Sequence, residues 1–403
     1  MNIAIINTLA MSGSTGKIAY LFQQYLIRQG HNAYIFYGRD DELVNNSNDI
    51  IRVGNNFDLY FHCLLSRITG MQGVFSRIAT KRMLKKFIEL KIDGVCMFNL
   101  HGYYLNMPLL FSFLGKTGIS CEYVMLDEYP FLGKCAYSFD CDKFKTKCQN
   151  CPRVHEHPKS LFFDSSTKMF NLKKKVYSFA PQCIFVGIEY TVGRAKQSAI
   201  TRNCKFGVAD EAVDLRSVYF PRDTTNLREK LGIPKENKII VTISVYPNER
   251  KGSQYFLEVA KRMTNHKEIS FVHVGFMADL SLCPTNYIPI GYVKDQNLLA
   301  EYYSLGDLFV HTSTAETIPA SIIEALACGT PILGFASSGI PYSTDEIHGT
   351  FVEPRNVNEM IRVIENTPKK TMDRINSCRA YAVTRYDSVD YGKKLLNYLQ
   401  GGR

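Results

Sequence analysis

Apolar residues along this chain alternate between short continuous runs and runs with helical spacing. The first continuous run is MNIAIIN, and the segment KIAYLFQQYLIRQG has apolar residues at helical spacing and ends at Gly30. Between them lies the turn MSGSTG. The pattern predicts a strand, a glycine-rich loop and a helix, which together form the opening unit of a doubly wound α/β domain.

The stretch SGSTGK resembles the phosphate-binding P-loop of NTPases, but two of the residues that the loop needs are missing. A P-loop has a glycine five positions before its GK pair and a Ser or Thr directly after it. Met11 and Ile18 occupy those positions here, so Lys17 lacks the neighbouring hydroxyl that binds Mg²⁺. We therefore do not interpret this loop as an NTPase site.

Buried strand-like runs fall in two series, which predicts two consecutive α/β domains. The first series continues at residues 32–38, 94–102, 121–126 and 183–188, and the second comprises 238–245, 269–275, 286–293, 308–313, 330–335 and 349–354. A charged segment with two prolines, Lys205 to Glu236, separates the series and is typical of a connection. We predict an N-terminal Rossmann-like domain over 1–208, a C-terminal Rossmann-like domain over 209–384, and a C-terminal helix in 385–403 that packs back on the first domain.

The composition is that of an ordinary globular protein, with 45% apolar and 21% charged residues among 403. No apolar run is long enough to span a bilayer, and no basic region precedes the first apolar segment, so we expect a cytoplasmic protein. Through residue 200 there are 24 Lys and Arg against 15 Asp and Glu, a net charge of +9 out of +10 for the chain. The basic clusters at 81–86 and 173–175 are either solvated helix faces or contacts for anionic lipid, an acidic substrate or nucleic acid.

The most informative motif lies between Asp307 and Pro341. Glu316 follows a predicted strand, and the segment ASIIEALACG predicts a helix that ends at Gly329. The spacing of eight residues places Glu324 about two turns inside that helix if Glu316 lies near its start.

This motif resembles the signature of the retaining glycosyltransferases of family 4, which is a Glu, seven residues, a second Glu and then A-x-A-x-G-x-P. Glu324, Ala325, Ala327, Gly329 and Pro331 match it. The similarity extends to GSTG, NLHGYYLN, CKFGVADEAVD, ERKGSQYFLEVAKRM and GDLFVHTS. These segments look most like the branch that builds bacterial surface polysaccharides such as colanic acid and O-antigen. The resemblance implies the GT-B fold, with two Rossmann-like domains facing each other across a cleft.

The resemblance also implies a reaction, the transfer of a sugar from a nucleotide diphosphate donor to a glycan or lipid-linked glycan acceptor. By position, Lys251 would bind the diphosphate with help from Arg250, Glu324 would bind the ribose, and Glu316 would approach the transferred sugar. No metal ion would be required, and no nucleic-acid partner is expected. In the N-terminal domain, we predict that donor binding uses backbone N–H groups of Gly13, Ser14, Thr15 and Gly16. His101 and Asp127, which follow successive predicted strands, are the further catalytic candidates.

Three departures from the family pattern leave a second reading open. Many relatives have a histidine at the position of Leu126 and an arginine at the position of Tyr246, and the dipeptide F-G after the first glutamate is replaced by Ile318 and Pro319. Leucine and tyrosine cannot replace the hydrogen bonds or the charge of those groups. The alternative is a catalytically silent protein that binds sugar nucleotides or acts as a scaffold.

The segment 133–155 is a cysteine-rich insertion. It contains Cys135, Cys141, Cys148 and Cys151, and the last two form a C-x2-C pair. Four thiolates suit a tetrahedral zinc ion, and disulfides are the less frequent use in a cytoplasmic protein. We predict a structural zinc site that orders the insertion; the alternative is a loop with four unligated cysteines.

Overall fold

The computed structural model describes residues 1–39, 41–44, 47–244, 249–276 and 279–401. It divides into two compact units, of which the first is Met1–Ala212 with Ser388–Arg403 and the second is Val213–Asp387. Each unit is a parallel sheet with helices, so the predicted α/β class is confirmed. Among the helices in the described ranges, none combines the length and the apolar character needed to cross a bilayer.

The first unit contains a seven-stranded sheet. Its strands are β1 (Asn2–Asn7), β2 (Asn32–Tyr37), β3 (Ile50–Arg52), β4 (Gly94–Met97), β5 (Ser120–Val124), β6 (Ile184–Gly187) and β7 (Lys205–Val208). They pair in parallel in the order β3-β2-β1-β4-β5-β6-β7. The chain therefore reverses its direction of winding between β1 and β4.

Helices cover both faces of this sheet, which explains why its central strands are mostly apolar. They are α1 (Gly13–Arg28), α2 (Asn56–Thr69), α3 (Arg77–Glu89), α4 (Met107–Thr117), α5 (Ser166–Tyr177), α6 (Glu189–Gln197) and, from the end of the chain, α13 (Ser388–Leu399). Successive residues of β1 point to opposite faces: Ile3 and Ile5 pack with α1 and α13, whereas Ala4 and Ile6 pack with α3 and α4.

Helix α13 is held closely against the first unit. Gly392 lies so near Tyr25 of α1 that a Cβ atom there would be 2.4 Å from the ring. Leu395 and Leu399 are buried in the cluster on that face of the sheet. The Tyr398 hydroxyl bonds the backbone of Val208 at the end of β7. The last helix in the sequence is thus part of the first core.

The second unit contains a six-stranded parallel sheet. Its strands are β8 (Lys238–Ile243), β9 (Ile269–Val274), β10 (Tyr287–Gly291), β11 (Leu308–His311), β12 (Ile332–Phe335) and β13 (Gly349–Val352), in the order β10-β9-β8-β11-β12-β13. The helices are α7 (Thr225–Lys230), α8 (Ser253–Arg262), α9 (Gln296–Leu305), α10 (Ala320–Ala327), α11 (Val357–Asn366) and α12 (Met372–Tyr386). Here the winding reverses between β8 and β11.

The predicted buried strands are confirmed. The segment predicted as a connection between the two domains is only partly irregular. Residues 205–236 contain the edge strand β7 and the helix α7 as well as irregular chain. In an open parallel sheet, ligands bind beyond the carboxyl ends of the strands where the winding reverses. In this protein those points follow β1 and β4 in the first unit, and β8 and β11 in the second.

Candidate active site

The reversal point of the second unit holds a cluster of three charged side chains. Arg250 and Lys251 come from the loop between β8 and α8, and Glu316 comes from the loop between β11 and α10. Arg250 Nη1 lies 2.6 Å from Glu316 Oε1, and Lys251 Nζ lies 2.5 Å from the same oxygen. Two cations that are adjacent in sequence therefore converge on one carboxylate, which lies 65 positions after Lys251.

Backbone contacts fix these two loops against each other. The Thr314 amide donates to the carbonyl oxygen of Arg250 at 2.7 Å, and the Thr312 hydroxyl donates to that of Lys251 at 3.2 Å. Gly252 has φ +65°, and a Cβ atom there would lie 2.1 Å from the carbonyl oxygen of Thr312. Only glycine allows this approach and this conformation, so the close contact of the two loops depends on it.

The electrostatics of the cluster keep Glu316 ionised. Burial of this side chain would raise its pKa, but Lys251 and Arg250 outweigh that effect and lower the pKa to about 2. The pKa of His311, which is buried at the end of β11, is also lowered, to about 3, here by burial first and then by Lys251. At neutral pH the cluster therefore contains two cations, one carboxylate and a neutral imidazole.

Glu324 is held by a different set of side chains. The helix α10 begins at Ala320, so Glu324 lies one turn inside it, and the predicted two turns are wrong. The Tyr303 hydroxyl donates to Glu324 Oε2 at 2.6 Å. Burial first, and then the negative charge of Glu324, raise the pKa of Tyr303. The same two causes raise the pKa of Tyr219. Two phenols thus keep their protons next to this carboxylate, a contact that the sequence analysis did not predict.

In the first unit, the structure brings the two candidates His101 and Asp127 together. They follow β4 and β5, and His101 Nε2 lies 2.5 Å from Asp127 Oδ2. The second oxygen of Asp127 accepts the Tyr129 amide at 2.9 Å. His101 Nδ1 is buried and has no hydrogen-bond partner within the described part of the chain. An imidazole oriented by a carboxylate, with its other nitrogen unpaired, is suited to bind or exchange a proton with a hydroxyl group.

The glycine-rich loop follows β1, the neighbour of β4 at this reversal point. Gly13, Ser14, Thr15 and Gly16 form the first turn of α1. The preceding amides, of Ala10, Met11 and Ser12, all donate to Oδ2 of Asp41 at 2.7 to 3.0 Å. Burial would raise the pKa of Asp41, but hydrogen bonds from the backbone amides of Met11, Ser12 and Leu43 lower it.

Asp41 was missed in the sequence analysis, because a single aspartate after a strand carries no local signal. Its carboxylate accepts the hydrogen bonds of the three amides that precede the helix. The backbone N–H groups that a ligand could still reach are therefore those of the first turn of α1, where Gly13 and Ser14 are exposed.

Residues 237–367 match the family described as glycosyl transferases group 1. The matched segment contains β8, β11 and α10, and with them Arg250, Lys251, Glu316 and Glu324. Residues 237–367 are a group 1 glycosyl transferase domain. The resemblance that the motifs indicated is confirmed at this level.

Proteins that match over nearly the whole chain are also glycosyltransferases or have their fold. The putative colanic acid biosynthesis glycosyl transferase WcaC of Escherichia coli K12 is 21% identical over 380 residues, which cover 90% of each chain. The lipopolysaccharide glycosyltransferase WaaG superposes with a TM-score of 0.65 at 15% identity, covering 99% of this chain and 100% of that one. Anabaena HepE in complex with UDP superposes with a TM-score of 0.64 at 14% identity, covering 100% of both chains. The protein therefore has the GT-B fold.

The departures from the family pattern have different structural settings. Leu126 is half-buried and packs against the apolar cluster of α1 and α13. In the group 1 domain, Ile318 is buried and Pro319 directly precedes α10, where proline's fixed φ is compatible with a helix start. Tyr246, which occupies the position of the family arginine, lies outside the described residues.

The four cysteines of the insertion lie near one another but do not form a closed site. A hydrogen bond between the thiols of Cys135 and Cys151 raises the pKa of Cys135 and lowers that of Cys151 to about 6. Burial raises the pKa of Cys148 to about 11, and Cys141 and Cys151 contribute to this. Across the described ranges, no group of three or more His, Cys, Asp or Glu residues is arranged to hold a metal ion. Zinc binding stays a prediction, and it requires the thiols of Cys141 and Cys148 to approach the pair formed by Cys135 and Cys151.

Proposed function

We propose that this protein is a retaining glycosyltransferase that moves a sugar from a nucleotide diphosphate donor to a glycan acceptor in bacterial surface polysaccharide synthesis. The observation that carries the proposal is the convergence of Arg250 and Lys251 on Glu316 at the reversal point of a group 1 domain. The names of WcaC, for colanic acid, and WaaG, for lipopolysaccharide, support this choice of pathway. The UDP complex of HepE supports a nucleotide donor.

Arg250 and Lys251 supply the positive charge that the departing diphosphate needs. Cations that are already in place stabilise charge that develops as the sugar leaves, and they do so most strongly where water is excluded. Glu316 neutralises one of these charges before the donor binds. Once the diphosphate takes over the two cations, the carboxylate is available to contact a hydroxyl group of the transferred sugar, and no metal ion is required for this step.

The remaining candidates take roles around this centre. Glu324, held by Tyr303, binds the ribose hydroxyls of the donor, and the first turn of α1 lies against a phosphate or the acceptor. His101, oriented by Asp127, bonds a hydroxyl of donor or acceptor. Retention follows from attack on the same face of the sugar as the leaving phosphate, which itself accepts the proton of the acceptor hydroxyl. The acceptor is a lipid-linked glycan.

The first experiment is thermal stabilisation of the protein by a panel of UDP-, GDP-, ADP- and CDP-sugars. One donor should raise the melting temperature, and Glu324→Ala should abolish that shift. Transfer to a lipid-linked acceptor should then give a product whose anomeric configuration, measured by NMR, is that of the donor. An inverted product would contradict the retaining mechanism but leave the transferase proposal intact.

A silent scaffold is the second candidate, and the observation that favours it is Leu126. A histidine near the reacting sugar is replaced there by a half-buried side chain that packs against the core. Lys251→Ala separates the two functions: a transferase loses turnover, whereas a scaffold keeps its interaction with a partner. Donor-dependent product formation by the unchanged protein would exclude the scaffold.

A further inference from the structure

Helix α2 of the first unit exposes four large apolar side chains on one side. The side chains of Phe57, Tyr60, Phe61 and Leu64 are 76%, 70%, 51% and 55% exposed. They recur at the spacing of one helix face, which we call the aromatic face. The residues of α2 that are buried are His62 and Ser66. A surface helix normally buries its large apolar groups, so the exposure of these four side chains is unusual.

The exposure of this face belongs to a well-formed helix. Asn55 and Asp58 form a capping box at its start, and Gly70 ends it with φ +68°. The buried His62 ties the helix to the chain before α3, because its Nδ1 lies 2.7 Å from the Ser76 hydroxyl. Burial lowers the pKa of His62 to about 3, so this inner contact is uncharged. The aromatic face therefore points to solvent because its opposite side is anchored.

Further exposed apolar side chains extend the aromatic face at the end of α2. Leu161, Phe162 and Phe163 are exposed, and Phe162 is 71% accessible. The Leu161 amide donates to the carbonyl oxygen of Arg67, in the last turn of α2, at 2.7 Å. The Ser165 hydroxyl donates to that of Thr69. Two separate segments thus present large apolar groups on one region of the surface, a feature that marks an interaction site.

The region beside the aromatic face is basic. Residues 56–89 contain six Lys and Arg against two Asp and Glu, a net charge of +4. The start of α3 lies alongside α2, since Ala79 and Asp58 both approach Gly54 within 3.2 Å of its Cβ position. Arg77, Lys81 and Arg82 of α3 are exposed, and none of them has a carboxylate within 4.0 Å in the described part of the structure.

We propose that the aromatic face of α2, together with Leu161–Phe163 and the basic start of α3, docks the protein on an anionic bilayer surface. Aromatic rings are favoured at the boundary between headgroups and acyl chains, and nearby cations are attracted to anionic lipids. A second copy of the chain is a poorer occupant, since it would bring two surfaces of net positive charge together. The inference does not rest on the proposed function, because vesicle binding requires no turnover.

Flotation with phosphatidylcholine vesicles, with and without phosphatidylglycerol, tests the proposal. The full chain should bind the anionic vesicles at low salt and bind the neutral ones weakly. Phe57→Ser with Phe61→Ser should weaken binding about tenfold for each ring removed. The matched control is Leu280→Ser with Ile347→Ser, two side chains of the second unit that are each 63% exposed. This control should bind like the unchanged protein.

Charge is tested separately with Lys81→Gln and Arg82→Gln. Each substitution should weaken binding about fivefold at low salt and change it little at high salt. Lys393→Gln with Lys394→Gln, two exposed lysines of α13, is the control and should have no such effect. Equal losses in this control would mean that net charge alone drives binding and would overturn the assignment of the site.

The chain contains no tryptophan, which permits a direct test of insertion. In Phe57→Trp the new residue is the only tryptophan, and its emission should shift to the blue when anionic vesicles are added. Ile347→Trp should show no shift. Failure of the unchanged protein to bind anionic vesicles would overturn the proposal. So would a dimer, detected by size-exclusion chromatography, that Phe57→Ser with Phe61→Ser converts to a monomer while vesicle binding is unchanged.

Discussion

Replacing Glu316 with glutamine should separate the two functions of the charged cluster. The substitution keeps the size of the side chain and removes the negative charge between Arg250 and Lys251. In the unliganded protein it should lower the free energy of unfolding. In the presence of a nucleoside diphosphate, the two cations should bind the ligand without competition from the carboxylate. Stability and ligand affinity should therefore change in opposite directions.

The structure sets the size of both effects. The pKa of Glu316 falls from an ordinary 4.5 to about 2, which corresponds to about 3 kcal/mol of stabilisation at neutral pH. The side chain is only 8% exposed, so solvent screens this interaction little. Removing a unit charge that competes for the same two cations should tighten binding of UDP about tenfold. Turnover should fall, because the contact of Glu316 with the transferred sugar is lost.

The pH dependence provides a sharper test than the size of the effect. A carboxylate whose folded pKa is lowered contributes stability above its unfolded pKa and loses that contribution as the pH falls through its folded pKa. The difference between the unchanged protein and Glu316→Gln should be constant from neutral pH down to 4.5, and should then decrease and vanish near pH 2. Urea unfolding at several pH values measures it.

Glu346→Gln is the matched control for this substitution, since Glu346 is exposed in the same unit. It should change neither stability nor affinity for UDP. The reasoning would be refuted if Glu316→Gln unfolded like the unchanged protein at neutral pH. It would also be refuted if UDP stabilised the variant less than it stabilises the unchanged protein.

Three further predictions concern other parts of the molecule. Tyr303→Phe should leave the fold intact but raise the KM for the donor more than it lowers kcat, because Glu324 loses a hydrogen bond worth about 1.5–3 kcal/mol; an unchanged KM would remove Tyr303 from the donor site. Asp41→Asn should lower the free energy of unfolding by about 2 kcal/mol in urea titrations, since an amide replaces the carboxylate that accepts three backbone N–H groups; equal stability would show that these hydrogen bonds contribute little. For the four cysteines of the insertion, metal analysis of the purified protein should find one zinc per chain; its absence, with all four thiols freely alkylated, would exclude the zinc site.

Most of the strands that the sequence predicted correctly are buried as a continuous run. The central strands β1, β4 and β8 are apolar because helices cover both sides of the sheet, and that requirement is visible in each strand by itself. The missed strands β3 and β7 lie at the two edges of the first sheet. They have three and four residues and are mostly accessible to solvent, so their sequence carries no comparable signal. The edge strands β10 and β13 of the second sheet are also partly exposed, but their longer apolar runs made them predictable.

Some features of the candidate site could likewise be predicted from the local sequence, whereas others depend on tertiary contacts. The spacing from Glu316 through Glu324 to Pro331 identified the group 1 domain, because a loop and the helix after it contribute neighbouring residues to one site. Family resemblance supplied Lys251 as well. The pairing of both cations with Glu316, and of His101 with Asp127, could be located only in the structure.

The sequence by itself determined the α/β class, the principal strands and the residues of the family motif, since each depends on side chains within one short segment. The tertiary structure decided which of these residues meet. Parallel pairing places the ends of β8 and β11 side by side although 65 residues separate Lys251 from Glu316, and it brings Asp41 to the amides before α1. It also decided that α2 buries a histidine and exposes its aromatic side. Hydrophobic periodicity records how strongly a helix is amphipathic, whereas the packing of neighbouring segments determines which side faces the solvent.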